Sequence, residues 1–278
     1  MGMDKDCGKE SLNLANIARF IRFKYRFFRD NPDYFSADGL LCFVGPQGSG
    51  KTISAVNYVY KLMKKYPKCK LCTNLFLEEY PVVTFEDFKK KHFTDQDEDI
   101  SDIEKYHIYL QENRVFFFRN NDDFKRYSNN KKGLIFLVDE IQLYLNSLES
   151  KNINMDTMTQ IAQQRKQRKH IVATSQVYGR MAKPLREQFS NIIVCNNYLG
   201  FIQRNRLVDR DSLEEETSAD TQLKGKVKKQ FIWLHNPDEM YRRYDTYFVI
   251  DKSNFVSGES MKEGVYGSDN YIRLSGNN

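Results

Sequence analysis

Eight residues constrain this chain more than any others: Gly45, Pro46, Gln47, Gly48, Ser49, Gly50, Lys51 and Thr52. They fit G-x-x-x-x-G-K-[ST] without departure. An uninterrupted apolar run, Leu40-Leu41-Cys42-Phe43-Val44, leads in, and a segment with helical spacing, Lys51 to Lys64, leads out. A continuous apolar pentad is the pattern of a strand buried on both faces. Strand, glycine-rich loop and helix in that order form a phosphate-binding loop. Its glycines let successive backbone N–H groups converge on an anion at a helix N-terminus. In such a loop Lys51 reaches the β- and γ-phosphates, and the Thr52 hydroxyl ligates Mg²⁺. The expected ligand is therefore ATP with Mg²⁺.

A second apolar pentad, Leu134-Ile135-Phe136-Leu137-Val138, runs directly into Asp139-Glu140. Both carboxylates then emerge at the carboxyl edge of a buried strand, where open α/β sheets bind ligands. Asp139 suits the Mg²⁺-organising carboxylate, and Glu140 suits the residue that polarises an attacking water. The alternative is a solvated acidic turn. A small-molecule kinase more often pairs a single Asp with an arginine-rich lid, so the Asp-Glu pair favours hydrolysis.

Ile171-Val172-Ala173-Thr174-Ser175 ends in Gln176, whose amide can sense the γ-phosphate or the water; it can equally be the polar first residue of a loop. Upstream, the run from Gln163 to His170 carries Arg165, Lys166, Arg168 and Lys169. Such a run is ordinarily a solvated helix face. An arginine placed just before the Gln176 strand can instead reach the γ-phosphate of an adjacent subunit, with Arg165 the first candidate and Arg168 the second.

Further strands are expected at Lys70–Asn74, Arg114–Phe118 and Asn191–Cys195, and a more β-rich stretch over 198–252. Strands alternating with helices predict an α/β fold, a mainly parallel sheet covered by helices on both faces, with a β-rich C-terminal extension. Residues 1–37 read as an N-terminal basic segment and 38–252 as the nucleotide-binding domain. An insertion is expected at about 83–130, comprising a helix over TFEDFKKKHF, the acidic loop DQDEDISD and a short strand. Residues 253–278 read as a mobile Gly/Ser/Asn-rich tail. Ile17 to Asp30 has the spacing of a basic amphipathic helix, with Ile17, Ile21, Lys24 and Phe28 near one side. It is either a packing helix whose arginines snorkel into water or a contact for DNA, a membrane surface or a neighbouring subunit.

Composition narrows the classes. With 40% apolar and 29% charged residues the chain is globular, not disordered. No apolar stretch approaches a bilayer span, and the polar N-terminus lacks the core of a signal peptide, so a cytoplasmic protein is expected. Cys69-x-x-Cys72 has the spacing of half a zinc site, but no second half exists, which favours buried thiols. The net charge of +6 permits DNA binding without requiring it.

Taken together, GPQGSGKT, KLCTNL, LIFLVDEIQLYL and QQRKQRKHIVATSQ resemble the FtsK/HerA superfamily of DNA-pumping ATPases. Within it the chain is most similar to the zonular occludens toxin-like branch. Thr73-Asn74-Leu75 is similar to that branch's second-strand signature. Arg165, ahead of Gln176, resembles the arginine of its R-x-x-G-x-D/H…T-Q pattern, and Tyr244-Asp245-Thr246 resembles a late Tyr-Asp-Thr. The resemblance implies a RecA/FtsK-like P-loop ATPase that assembles as a homo-oligomer, a hexameric ring, and translocates or packages phage or mobile-element DNA. It implies phage portal, coat or assembly proteins as further partners and, if phage-encoded, the host cytoplasm as location. The alternative it carries is a phage assembly or secretion ATPase acting on protein partners. Two departures weaken the export reading: no transmembrane helix follows the ATPase domain, and Lys169-His170 only approximates the family's Gly-x-Asp spacing.

Overall fold

The computed structural model of the chain describes residues 14–36, 39–83, 109, 112–145, 155–212, 225–236 and 243–244. The expected strands assemble into one sheet: β1 (Leu40–Val44), β2 (Lys70–Thr73), β3 (Val115–Phe117), β4 (Leu134–Val138), β5 (Lys169–Ser175), β6 (Phe189–Tyr198), β7 (Ile202–Val208) and β8 (Val227–Leu234). Their spatial order is β3-β2-β4-β5-β1-β6-β7-β8. Pairing is parallel from β3 across to β6. β7 and β8 then add antiparallel, and these are the expected β-rich extension. The fold is the α/β class anticipated from the sequence, its sheet mainly parallel.

Period-two alternation makes each central strand serve two cores. Leu41 and Phe43 of β1, with Ile135, Leu137 and Val172, face one layer; Leu40, Cys42 and Val44, with Phe136, Val138, Ile171 and Ala173, face the other. The first layer is closed by helix α2 (Lys51–Lys65), which buries Ala55, Val56, Val59, Tyr60 and Met63 at helical spacing. Lys64 and Lys65 stand in its last turn, where cations suit the helix dipole. The chain leaves the helix at Tyr66, whose N–H still bonds the Leu62 carbonyl.

The short strand expected within 83–130 forms as Val115–Phe117, parallel to β2, its apolar run buried together with Phe118, Phe124 and Tyr127. The helix and acidic loop expected over 84–102 lie outside the described residues, as do Asp245 and Thr246 and the C-terminal tail. Other expectations meet a different arrangement. The helix before β5 spans Met155–Gln163 and stops there, so Arg165 and Arg168 sit in a turn. Helix α1 (Leu14–Asp30) forms where expected, yet Ala15 through Arg26 are all exposed. A helix packed on its own domain is thus not what α1 is. Among the described residues no helix is long and apolar enough to cross a membrane. Cys42, Cys69, Cys72 and Cys195 are free and buried, which fits thiols packed as small apolar groups.

Candidate nucleotide site

Three parallel strands end side by side and deliver the site. In register, Val44 of β1 lies opposite Ser175 of β5, and Val138 of β4 opposite Ala173. Gly45, Asp139 and Gln176, each the next residue along, therefore share the carboxyl edge of the sheet. Gly48 and Gly50 take φ of +76°, a left-handed conformation that suits glycine. Gly45 is needed for a different reason: a Cβ there would lie 2.8 Å from the Cys195 carbonyl oxygen. Pro46, Gln47 and Gly48 are exposed while Ser49 and Lys51 are buried, so the loop opens to solvent over a fixed floor.

Two clusters converge on this floor. In the first, the Thr52 hydroxyl donates to Asp139 Oδ1 at 2.9 Å and the Thr174 hydroxyl donates to the same oxygen at 2.6 Å. Asn74 clamps the Asp139 backbone from behind, its amide accepting from Asp139 N (2.8 Å) and donating to Asp139 O (2.9 Å). Burial pushes the Asp139 carboxyl above its ordinary pKa and Glu140 adds to this, while the Thr174 and Thr52 hydroxyls and Lys51 oppose it. A hydroxyl and a carboxylate side by side are hard oxygen donors and fit Mg²⁺. Thr52 and Asp139 are the residues that would hold it, directly or through water, and the metal would supply charge neutralisation of phosphate oxygens.

In the second cluster Glu140 is held on several sides. Lys51 Nζ lies 3.1 Å from Glu140 Oε1, both side chains largely buried. Gln176 Nε2 donates to that oxygen at 3.1 Å, and Gln142 donates to Oε2. The Glu140 N–H donates to Thr174 Oγ1 at 2.9 Å, and the residue adopts φ of +51°, left-handed for a side chain with a Cβ. Such conformations cost about 1–3 kcal/mol and persist where the surroundings enforce them, commonly at functional sites. Lys51, Thr52, Asp139, Glu140 and Gln176 are thus brought together.

The two arginines are not. Arg165 is exposed in the turn before β5, and Arg168, at φ of +56°, lays its guanidinium 4.2 Å over the Tyr34 ring. Both precede the first residue of β5, whereas the site lies beyond its last; a seven-residue strand, roughly 20 Å, separates them. Neither can serve the phosphate loop of its own chain.

Thr174 and Gln203 went unremarked in the sequence. Gln203, on β7, is fully buried and its amide donates to the Ser49 carbonyl at 3.0 Å and to Asn205 Oδ1 at 2.8 Å. Its Oε1 accepts from Asn197 (3.2 Å) and lies 3.1 Å from His235 Nε2. A Cβ on Gly50 would come within 2.0 Å of Gln203 Oε1, so the amide packs directly under the phosphate loop. In the sequence Gln203 is one polar residue among several in the strand IQRNRLV, and nothing local marks it.

No curated protein matches the chain. Solved structures do, distantly. The N-terminal domain of zonular occludens toxin from Neisseria meningitidis is 17% identical, with 75% of this chain and 100% of that one covered and a TM-score of 0.44. The genome-packaging NTPase B204 of Sulfolobus turreted icosahedral virus 2, in complex with AMPPCP, is 12% identical, with 68% and 97% covered and a TM-score of 0.44. The family described as zonular occludens toxin (Zot) matches residues 40–239, from the first residue of β1 to beyond the last of β8. That is well over half of the 278 residues, and the chain belongs to the Zot family.

Proposed function

We propose that the chain is an ATP hydrolase working in a multimeric motor, a homo-oligomeric ring that translocates or packages DNA in the host cytoplasm. The convergence of Lys51, Glu140 and Gln176 beside the Thr52–Asp139–Thr174 cluster supports hydrolysis most directly. Lys51 is shared: its ammonium pairs with Glu140, and a triphosphate is a stronger anion competing for it. Once Lys51 turns to phosphate, Glu140 is free to accept a proton from water, with Gln176 still orienting its carboxylate. Thr174 links the two acidic residues, accepting from the Glu140 N–H and donating to Asp139, so the metal-binding and water-polarising groups move together.

The ring and the DNA rest on the family resemblance, the net charge of +6 and the exposed Arg165, which is available only to a neighbour's nucleotide. Phosphate release measured with and without single- and double-stranded DNA at low salt, where phosphate contacts are strongest, tests the motor. Stimulation is expected; turnover indifferent to both would leave protein-driven assembly, with portal or coat proteins as partners. For Arg165, mixing Arg165→Ala chains with Lys51→Ala chains should restore activity that neither has alone, since a finger acting across the interface needs only one intact partner on each side. Failure to complement would remove Arg165 from the mechanism.

A further inference from the structure

Helix α1 precedes the family-matched region and takes no part in the nucleotide site. Arg19, Arg22, Arg26 and Arg29 are spaced by three, four and three residues, which lines them up in one stripe along the helix. The remaining circumference is mostly apolar: Ile17, Phe20, Ile21, Phe23 and Phe28 are 41%, 57%, 61%, 63% and 43% exposed. Lys24, the cation on that side, extends its ammonium 5.0 Å over the Phe20 ring, as a snorkelling side chain does. Contacts near its C-terminal end tie the helix to the rest of the chain. Phe27 packs edge-on against Tyr34 at 4.7 Å, the Asn31 amide donates to the Phe27 carbonyl, and Asp33 pairs with Lys68 at 2.6 Å.

We propose that α1 seats the protein on an anionic lipid surface, lying in the headgroup layer rather than crossing it. Width argues for lipid over protein: a helix docked on a protein core needs a stripe of about 100°, and the apolar residues of α1 occupy more than half the circumference. A bilayer interface takes up such a face whole while a cationic stripe remains at phosphate level. Charge agrees, since five cations face a single carboxylate, Asp30, on the helix. At seventeen residues, about 25 Å, and so charged, it cannot span. A second copy is the poorer occupant. The exposed apolar surface of β8, with Ile232 and Leu234, also carries Lys228 and Lys229, so cation would meet cation. DNA would satisfy the arginines but leave five large apolar side chains in water.

Co-sedimentation of the full chain with phosphatidylcholine vesicles, with and without phosphatidylglycerol, at physiological salt tests this without reference to the proposed motor. Binding is expected only where phosphatidylglycerol is present. Two variants should each weaken it about tenfold or more: Phe20→Ser/Ile21→Ser/Phe23→Ser, which removes the apolar face, and Arg19→Gln/Arg22→Gln/Arg26→Gln, which removes the stripe. Nucleotide affinity unchanged in both shows that they fold. No binding to the anionic vesicles, or equal binding by either variant, overturns the proposal. So does loss of oligomerisation in the serine variant with vesicle binding retained, which assigns the face to a second copy.

Discussion

β5 and β8 belong to one sheet and differ by one residue in length, yet every residue of β5 is buried and all of β8 but Trp233 is exposed. β5 reads KHIVATS and lies between β4 and β1 under both core layers; β8 reads VKKQFIWL and pairs with β7 alone. Burial on both faces fixes the strand end to within a hydrogen bond, which is what the Thr174–Asp139 and Gln176–Glu140 contacts require. The open edge fixes nothing so tightly and leaves surface for partners. The centre of this sheet positions chemistry, and its periphery, α1 included, presents surface. Gln203 is the bridge between them, a buried amide on the strand next to the edge that holds the phosphate loop from below.

The contrast can be broken at graded cost. Lys51→Ala should abolish nucleotide binding in a fluorescence titration, because a buried ammonium of the site is lost; undiminished affinity would detach the loop from its assigned role. Next in size, Phe136→Ala in β4 should cost about 3–5 kcal/mol in urea unfolding and Phe231→Ala in β8 less than about 1 kcal/mol. Equal losses would erase the distinction between centre and edge.

A pH effect follows at the buried side. Burial pushes the Asp123 carboxyl up to about 6, against the backbone N–H groups of Arg119 and Asn120 and the charges of Arg126 and Arg119 that pull it down. The folded chain thus holds this proton more tightly than the unfolded chain. The stability it contributes is complete below the ordinary value of 3.8 and lost as pH rises through about 6. The loss amounts to about 2–3 kcal/mol across that window, and Asp123→Asn should flatten it in denaturation curves taken at successive pH values. Smallest is Gln203→Ala, which removes one hydrogen bond to the loop. It should weaken nucleotide binding about fivefold, the equivalent of about 1 kcal/mol, with turnover at saturation little changed.

Much of the site was legible because its residues are local signals. The glycines and Lys51-Thr52 form a contiguous motif, and Asp139-Glu140 and Gln176 terminate apolar runs that announce buried strands. What periodicity does not say is which strand lies beside which. Thr174 reads as one more β-branched residue until β5 is set next to β4, and Gln203 as one polar residue in an alternating strand until β7 is set beneath the loop. The basic run before β5 misled for a related reason. Local charge density cannot mark where a strand begins, and Lys169, counted among solvated cations, is the first residue of β5 and donates from a buried position to the Phe124 carbonyl at 2.7 Å. For α1 the amphipathic pattern was plain, but whether the domain itself would cover the apolar face was a tertiary matter.

The proposed hydrolysis rests on the division of labour between Lys51 and Glu140. Glu140→Gln, assayed for nucleotide affinity and phosphate release on the same preparation, examines it directly. The amide preserves the shape and the contacts to Gln176 and Thr174 but cannot accept a proton. Affinity should be kept or improved, since Lys51 loses its competing carboxylate, while turnover falls about 10²–10⁴-fold. Phosphate release at the wild-type rate would contradict the assignment.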